Sequence, residues 1–234
     1  MKKIIRLIKY YLFKKKGLFY PRFADDFYTF HQEKLRGSIA EIKKRQAIYL
    51  KYIKIVPKLL KDKYHFLDIG FGRGEFIDLL KEQKLKNVKG VDTNRDYVLK
   101  AKQKGYDVYH EDALKHLYLS EKQYYGISAF HLIEHIDFNQ LFDLLLLCSK
   151  KLVKGGVLIL ETPNVENIKV GSTSFYLDHT HKLKLPSLLL KTLLEYLDFT
   201  KIEFLYLQPE REIIKNNIEH LMFSGQDLGI IAYR

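Results

Sequence analysis

The sequence predicts an α/β protein with a mostly parallel sheet covered by helices on both faces. Three observations lead to this prediction. Short apolar runs alternate with helix-length segments from residue 65 onward, and the first run ends in a glycine-rich stretch. Such alternation is typical of parallel strands joined by helical crossovers. The last two apolar runs have no clear helix between them, which predicts an antiparallel hairpin at one edge of the sheet.

The helix that precedes the sheet is predicted over residues 38–60, where apolar residues recur at three- and four-residue spacing. Ser38 followed by Glu41 predicts a capping box at its start. The later elements follow the period of their apolar residues. Strands are predicted at 65–69, 88–91, 107–109, 125–130, 156–161, 202–207 and 229–233, and helices at 75–82, 95–103, 138–153 and 186–197.

Length and composition indicate one main domain with a small appendage. The chain has 234 residues, of which 47% are apolar, so it can form a single sizeable core. The only cysteine, Cys148, lies in an apolar helical stretch and is expected to be buried. A disulfide within the chain is therefore excluded, and we expect a reducing, cytoplasmic setting.

The formal net charge of +12 favours an anionic partner. The lysines are scattered, however, and no basic stretch alternates with aromatic residues, so a nucleic acid is not the expected partner. Residues 1–16 form a basic amphipathic stretch that fits docking on the domain, disorder, or contact with the inner face of a membrane. Arg6 and Lys9 interrupt its apolar run, so it is not a signal peptide. No segment has the length of a membrane span.

A glycine loop follows the first predicted strand of the sheet. Gly70, Gly72 and Gly74 allow a tight turn and a close backbone approach to a ligand. A dinucleotide fingerprint needs its third glycine at position 75, where this chain has Glu75. Because an acid at a helix N-terminus competes with a pyrophosphate for the positive end, the loop predicts a ligand without phosphates.

Acidic residues follow the next two strands. Asp92, with Thr93 after it, ends the second strand, where a carboxylate can accept both hydroxyls of a ribose. Asp112 follows the third strand, where it can accept the adenine amino group while the amide of Ala113 donates to the ring. Each acid alone also fits a helix cap or a turn. The ordered set predicts an adenosine site.

These motifs resemble those of the class I S-adenosylmethionine-dependent methyltransferases. Residues 130–135 resemble the segment after the fourth strand of that superfamily. A narrower resemblance, carried by residues 161–167, 171–172, 175–181 and 225–228, points to methyltransferases encoded with bacterial capsule and O-antigen genes. His179 and Lys182 depart from that group, which has proline and often arginine there, so the acceptor loop is expected to be individual to this chain.

The resemblance implies a Rossmann-like class I methyltransferase sheet at residues 61–234 that binds S-adenosyl-L-methionine. It also implies that residues 1–60, a basic segment and a helical cap, cover the cofactor. Tyr28 and Arg36 are the candidates for contact with the methionine end of the cofactor. Arg36 is expected to pair with the carboxylate of that end through two parallel hydrogen bonds. Phe130 and His131 are the further candidates for cofactor contact.

The catalytic candidates are His131, Glu134, His135 and His181. The spacing of the first three also matches an H-x-x-E-H zinc-protease motif. We reject that interpretation because His131 directly follows a strand and because the next helix is expected to begin later. No metal is expected. A sugar hydroxyl acceptor needs a histidine as general base, whereas a phosphoryl or phosphoramidate oxygen is already anionic and the histidines would bind charge.

The predicted function is O-methylation of a capsule or O-antigen building block, with a small-molecule or saccharide acceptor that is anionic. The alternatives are methylation of another small metabolite or of nucleic acid, or a pseudoenzyme that binds the cofactor as a partner protein. The complete ribose and adenine acids disfavour the pseudoenzyme. An Asn-Pro-Pro-aromatic motif for amino methylation is absent. We expect a monomer or a homodimer.

Overall fold

The computed structural model describes residues 30, 34, 37–210 and 216–234. The chain divides into two compact units, Met1–Arg45 and Gln46–Arg234. In the smaller unit, the Ser38 amide donates to Glu41 Oε2 at 2.8 Å and the Glu41 amide donates to Ser38 Oγ at 3.2 Å. This reciprocal pair confirms the predicted capping box. That the first 60 residues cover the cofactor stays a prediction.

Among the described residues, the larger unit alternates strands and helices as predicted. The strands are β1 (His65–Ile69), β2 (Val88–Asp92), β3 (Asp107–His110), β4 (Tyr124–Phe130), β5 (Leu152–Pro163), β6 (Thr200–Pro209) and β7 (Gly225–Tyr233). The helices within residues 37–210 and 216–234 are α1 (Ile39–Gln46), α2 (Leu50–Ile55), α3 (Lys58–Lys63), α4 (Glu75–Glu82), α5 (Arg95–Gln103), α6 (Ala113–Leu119), α7 (Phe138–Lys151), α8 (Ile168–Ser172), α9 (Ser187–Tyr196) and α10 (Asn217–Phe223). Short 3₁₀ turns lie at Ala47–Tyr49, Ile133–His135 and Ser174–Leu177.

The seven strands form one sheet in the order β3-β2-β1-β4-β5-β7-β6. The pairs β1–β2, β1–β4, β2–β3 and β4–β5 are parallel. Strand β7 pairs antiparallel with both β5 and β6. The fold class is therefore the predicted Rossmann-like sheet, mostly parallel with an antiparallel C-terminal hairpin and helices on both faces.

Both faces of the sheet are buried, which explains why its central strands are continuous apolar runs. Along β5, Leu158 and Leu160 face a core that includes α7 and α9. The alternate residues Val157 and Ile159 face a second core that includes α2 and α4. Cys148 is 1% exposed in the first core, as predicted, and burial raises the pKa of its thiol to about 12.

Several element predictions were wrong in extent, including that of β7, which begins at Gly225, four residues before its predicted start. The helix predicted over 38–60 is interrupted before Pro57, where Val56 has ψ 130° because a residue that precedes proline avoids the helical region. Strand β5 begins at Leu152, four residues before its predicted start, and the preceding helix ends at Lys151. Helices α6, α8 and α10 were not predicted, and α10 lies between β6 and β7. None of the helices in the described residues is long and apolar enough to cross a membrane.

Candidate active site

The residues singled out from sequence converge on one edge of the sheet. Strands β3, β2, β1, β4 and β5 are neighbours and run parallel, so their carboxyl ends lie along the same edge. Strand β7 runs the other way, so its first residues reach this edge: Asp227 pairs with Pro163 at the end of β5. In open α/β sheets, ligands bind beyond the carboxyl ends of the strands.

The glycine loop after β1 has the backbone that its sequence predicts. Gly70, Gly72 and Gly74 have φ values of 63°, 56° and 87°, a region that side chains with a Cβ rarely adopt. A Cβ at Gly70 would lie 2.4 Å from Leu132 Cδ1, so glycine also permits the loop after β4 to approach the loop after β1. The two loops therefore form one continuous wall.

Asp92 is tied to the glycine loop. The Gly72 amide donates to its Oδ2 at 2.9 Å and the Asn94 amide donates to its Oδ1 at 2.7 Å. Each carboxylate oxygen has capacity for a further hydrogen bond, so the group can still accept ribose hydroxyls. The same Asn94 caps α5. Asp92 is thus fixed in position by the backbone on both sides.

Asp112 and Thr93 lie beside Asp92 at the ends of β3 and β2. Asp112 Oδ1 accepts from the Lys115 amide at 3.0 Å and caps α6, whose first residue is Ala113. The capping interpretation of Asp112 is therefore correct for this oxygen. His110 Nε2 lies 2.9 Å from the Thr93 carbonyl oxygen, which can only accept, and this bond ties the two strand ends together.

The start of α4 carries a carboxylate where a phosphate would need to bind. Glu75 is 1% exposed, and its Oε1 accepts from Arg73 Nε at 2.6 Å. Its Oε2 has no hydrogen-bond partner among the described residues. A buried acid at this helix N-terminus fits the expectation of a ligand without phosphates.

A buried glutamate lies at the centre of the site beyond β4. Glu134 is 0% exposed, and its Oε2 accepts from Thr162 Oγ1 at 3.0 Å. Its Oε1 has no hydrogen-bond partner among the described residues. Burial alone would raise the pKa of Glu134, but His131 and His135 lower it below the ordinary value. An unpaired buried oxygen costs about 1–3 kcal/mol, so this atom calls for a ligand or a functional role.

Three histidine nitrogens surround Glu134 Oε1. His131 Nδ1 lies 3.3 Å away, His181 Nε2 3.9 Å and His135 Nε2 4.0 Å. The rings of His135 and His181 are 4.7 Å apart between centroids. The structure thus brings all four catalytic candidates together.

His135 and His181 are each held by their other ring nitrogen. His135 Nδ1 lies 2.7 Å from Thr180 Oγ1, whose only proton is donated to Asp178 Oδ1 at 2.6 Å, so His135 Nδ1 must donate. His181 Nδ1 lies 2.6 Å from the Phe175 carbonyl oxygen and must donate as well. Burial lowers the pKa of His135 below its ordinary value, which favours the neutral ring. In this tautomer the neutral ring has its lone pair on Nε2.

His131 makes a separate, charged contact. Its Nε2 lies 3.1 Å from Glu161 Oε1 and 3.8 Å from Asp227 Oδ1. Burial opposes charge on this ring, but Asp227, Glu134 and Glu161 together raise its pKa well above the ordinary value. Its φ of 49° is unusual for a residue with a Cβ and directs the chain out of β4 into the loop.

Three residues of the network around His131 were not expected from sequence to belong to the site. Tyr49, interpreted as an apolar helix position, donates its hydroxyl proton to Glu161 Oε2. Burial, followed by the charge of Glu161, raises the pKa of Tyr49, so the phenol keeps its proton. Glu161 and Asp227 lay within the resembling segments, but neither was a candidate site residue. The paired ends of β5 and β7 bring them together, and that pairing is not visible in a linear pattern.

The cofactor candidates from sequence have different outcomes. Phe130 is 6% exposed and packs against the Tyr49 and Phe76 rings, so its side chain belongs to the core behind the site. Tyr28 and Arg36 lie outside the described residues. Their roles, and those of the other site residues, stay predictions.

Comparison with known proteins identifies the family to which the chain belongs. The family model described as a methyltransferase domain matches residues 35–207. The chain belongs to this methyltransferase family. A solved structure described as a SAM-dependent methyltransferase from Archaeoglobus fulgidus is 33% identical and has a TM-score of 0.77. The match covers 89% of this chain and 100% of that one.

The methyltransferase thus uses S-adenosylmethionine as its cofactor. More distant structures share the fold alone. One is described as a SAM-dependent methyltransferase from Clostridium acetobutylicum ATCC 824 (TM-score 0.61, 13% identity, covering 90% of this chain and 98% of that one). Another is the plantazolicin methyltransferase BamL, solved with SAH (TM-score 0.62, 16% identity, covering 89% and 90%). No curated protein matches the chain.

Proposed function

We propose that this methyltransferase transfers the methyl group to an oxygen of a surface-polysaccharide building block of the capsule or O-antigen type. A phosphoryl or phosphoramidate oxygen is included in this class. The observation that carries the proposal is the cluster of Glu134, His135 and His181. Glu134 and His135 lie in the loop after β4, and Glu134 contacts Thr162 near the end of β5.

The cofactor supplies a methyl group that its sulfonium charge already activates. The protein therefore has to position the acceptor in line, exclude water, and deal with the proton or charge of the acceptor atom. The histidine rings suit oxygen acceptors in two ways. They can take the proton of a sugar hydroxyl, or they can hold the charge of an anionic oxygen.

The choice of a saccharide rests on sequence. Residues 161–167, 171–172 and 175–181 resemble those of capsule and O-antigen methyltransferases. The last of these segments carries His181 of the cluster, and Asp178 and Thr180, which support His135. The net charge of +12 suits phosphorylated or nucleotide-linked intermediates. Thr162-Pro163-Asn164 stands at the end of β5 in place of an amino-methylation motif.

The test uses methyl-labelled S-adenosylmethionine and paired saccharide acceptors, one with and one without a phosphoryl or phosphoramidate group. Label in either member supports the proposal, and the member that is labelled identifies the nucleophile. The matched control is Asp92→Ala, which should transfer no label. Label confined to RNA or to a metabolite unrelated to saccharides would refute the proposed acceptor.

A further inference from the structure

We propose that Glu134, His135 and His181 form a binding site for a divalent transition-metal ion, which holds the acceptor oxygen during methyl transfer. The role in transfer rests on the proposed function, whereas the metal site itself does not. The sequence analysis expected no metal. The geometry of the three side chains leads to the opposite inference.

The first argument is the convergence of three ligand atoms. Glu134 Oε1, His135 Nε2 and His181 Nε2 all lie within 4.8 Å of one another. Both nitrogens lie 3.9–4.0 Å from the carboxylate oxygen, too far for a hydrogen bond. Ligands about 2.1 Å from a tetrahedral ion are about 3.4 Å apart, so each nitrogen needs to approach the carboxylate oxygen by only roughly half an ångström to reach coordination geometry with it.

The second argument is the orientation of the two imidazoles. His135 donates from Nδ1 to Thr180, and His181 donates from Nδ1 to the Phe175 carbonyl oxygen. Metal-binding histidines are typically held in this way, with one nitrogen bonded to a carbonyl or polar group and the other directed at the ion. Asp178 extends the first chain by accepting from Thr180, which fixes the direction of that bond.

The third argument is the unsatisfied oxygen. Glu134 is fully buried; its Oε2 accepts from Thr162, while its Oε1 has no hydrogen-bond partner in the part of the chain that the structure describes. His131 Nδ1 lies 3.3 Å from Oε1, but not in hydrogen-bond alignment. His131 therefore contributes charge beside this oxygen, while the Nε2 atoms of His135 and His181 face it at coordination-like distances.

The donor set indicates the class of ion and its role. Two imidazoles and one carboxylate suit Zn²⁺, Fe²⁺ and related first-row ions better than Mg²⁺ or Ca²⁺. Three protein ligands leave coordination positions for a substrate, as in catalytic metal sites. An acceptor oxygen at such a position has its charge stabilised. In the transfer step the oxygen–methyl bond forms and the sulfur–methyl bond breaks with its electron pair left on sulfur. Because the ion occupies Nε2 of both His135 and His181, a hydroxyl acceptor releases its proton to solvent and not to either of these rings.

The test measures metal binding without any acceptor. The full chain, with any affinity tag removed, is stripped with chelator and titrated calorimetrically with Zn²⁺, and Co²⁺ absorption reports the coordination geometry. We expect one ion per chain, with binding at least 100-fold weaker in His181→Ala and Glu134→Gln. His179→Ala is the matched control, because it removes an exposed imidazole from the same loop. Thr180→Val should weaken binding by about 10- to 100-fold, since it removes the support of His135.

Cofactor binding and thermal unfolding show that each variant is folded. Zn²⁺ affinity unchanged in His181→Ala and Glu134→Gln, or no specific ion in the wild type, would overturn the metal site. If a saccharide is methylated by protein that binds no ion, this inference fails and the proposed function stands. If one ion binds and no saccharide is methylated, the site stands and the proposed acceptor fails. Transfer that is unchanged after chelation of a bound ion would overturn the role in holding the acceptor.

Discussion

Replacing Asp92 should weaken cofactor binding more than replacing any other single acidic residue in the loops that follow the parallel strands. The amides of Gly72 and Asn94 hold the Asp92 carboxylate in one orientation, so it does not need to reorient when the cofactor binds. If it accepts both ribose hydroxyls, Asp92→Ala removes two hydrogen bonds to a charged acceptor, each of about 1.5–3 kcal/mol. The sum of about 3–6 kcal/mol corresponds to a loss of roughly 10²- to 10⁴-fold in affinity.

Calorimetry with S-adenosylhomocysteine measures this loss directly. Asp92→Asn retains one accepting oxygen and should show about half of the free-energy change. The control is Asp96→Ala, which removes an exposed carboxylate from the first turn of α5. Since Asp92 also orders the glycine loop, circular dichroism must show that each variant is folded. An Asp92→Ala affinity within threefold of the wild type would refute the assignment of this residue to the ribose.

Three further predictions concern the acceptor side, the core and an ion pair. His181→Ala should leave the S-adenosylhomocysteine affinity within about twofold and slow labelled methyl transfer at least tenfold; undiminished transfer would remove His181 from the mechanism. Gly126→Ala should lower the urea-unfolding free energy by about 1–3 kcal/mol, because its Cβ would lie 2.3 Å from Phe66; an unchanged midpoint would contradict this packing. Burial alone would raise the pKa of Asp107, but the ammonium group of Lys89 lowers it below the ordinary value. The ion pair therefore stabilises the fold at neutral pH, and this stabilisation is lost as the pH falls through the folded-state pKa of Asp107. Asp107→Asn should therefore destabilise the protein at pH 7 and converge with the wild type in acid; equal loss at both pH values would argue against the ion pair.

The sheet was predictable because its strands are buried on both faces and its turns carry strong signals. Strand β1 and helices α4 and α5 have the predicted bounds, since apolar runs, glycines and the Asn94 cap all mark the same boundaries. Helix α6 was missed because its apolar residues do not all lie on one buried face: Tyr118 and Leu119 are 75% and 62% exposed. Pro57 lies within the long helix predicted over residues 38–60, and the prediction did not take into account that a proline disfavours the helical conformation of the residue before it, here Val56.

The site was predictable where it is local in sequence. Asp92, Asp112 and the glycines follow strand ends, and that position alone marks them. Tyr49 and Asp227 reach Glu161 only through the packing of distant segments, and neither has a local pattern that distinguishes it from a core or turn residue. The coordination-like geometry of Glu134 was also hidden, because it depends on the ring orientations that Thr180 and Phe175 impose.

The central claim is that this methyltransferase acts on an oxygen of a saccharide. The most direct measurement is NMR of the product formed from ¹³C-methyl S-adenosylmethionine and the paired saccharide acceptors, because the carbon shift distinguishes methyl groups on oxygen, nitrogen and carbon. The account predicts an O-methyl signal in one acceptor and one S-adenosylhomocysteine per methyl group. An N-methyl or C-methyl product, or no saccharide product from protein that binds the cofactor, would contradict it.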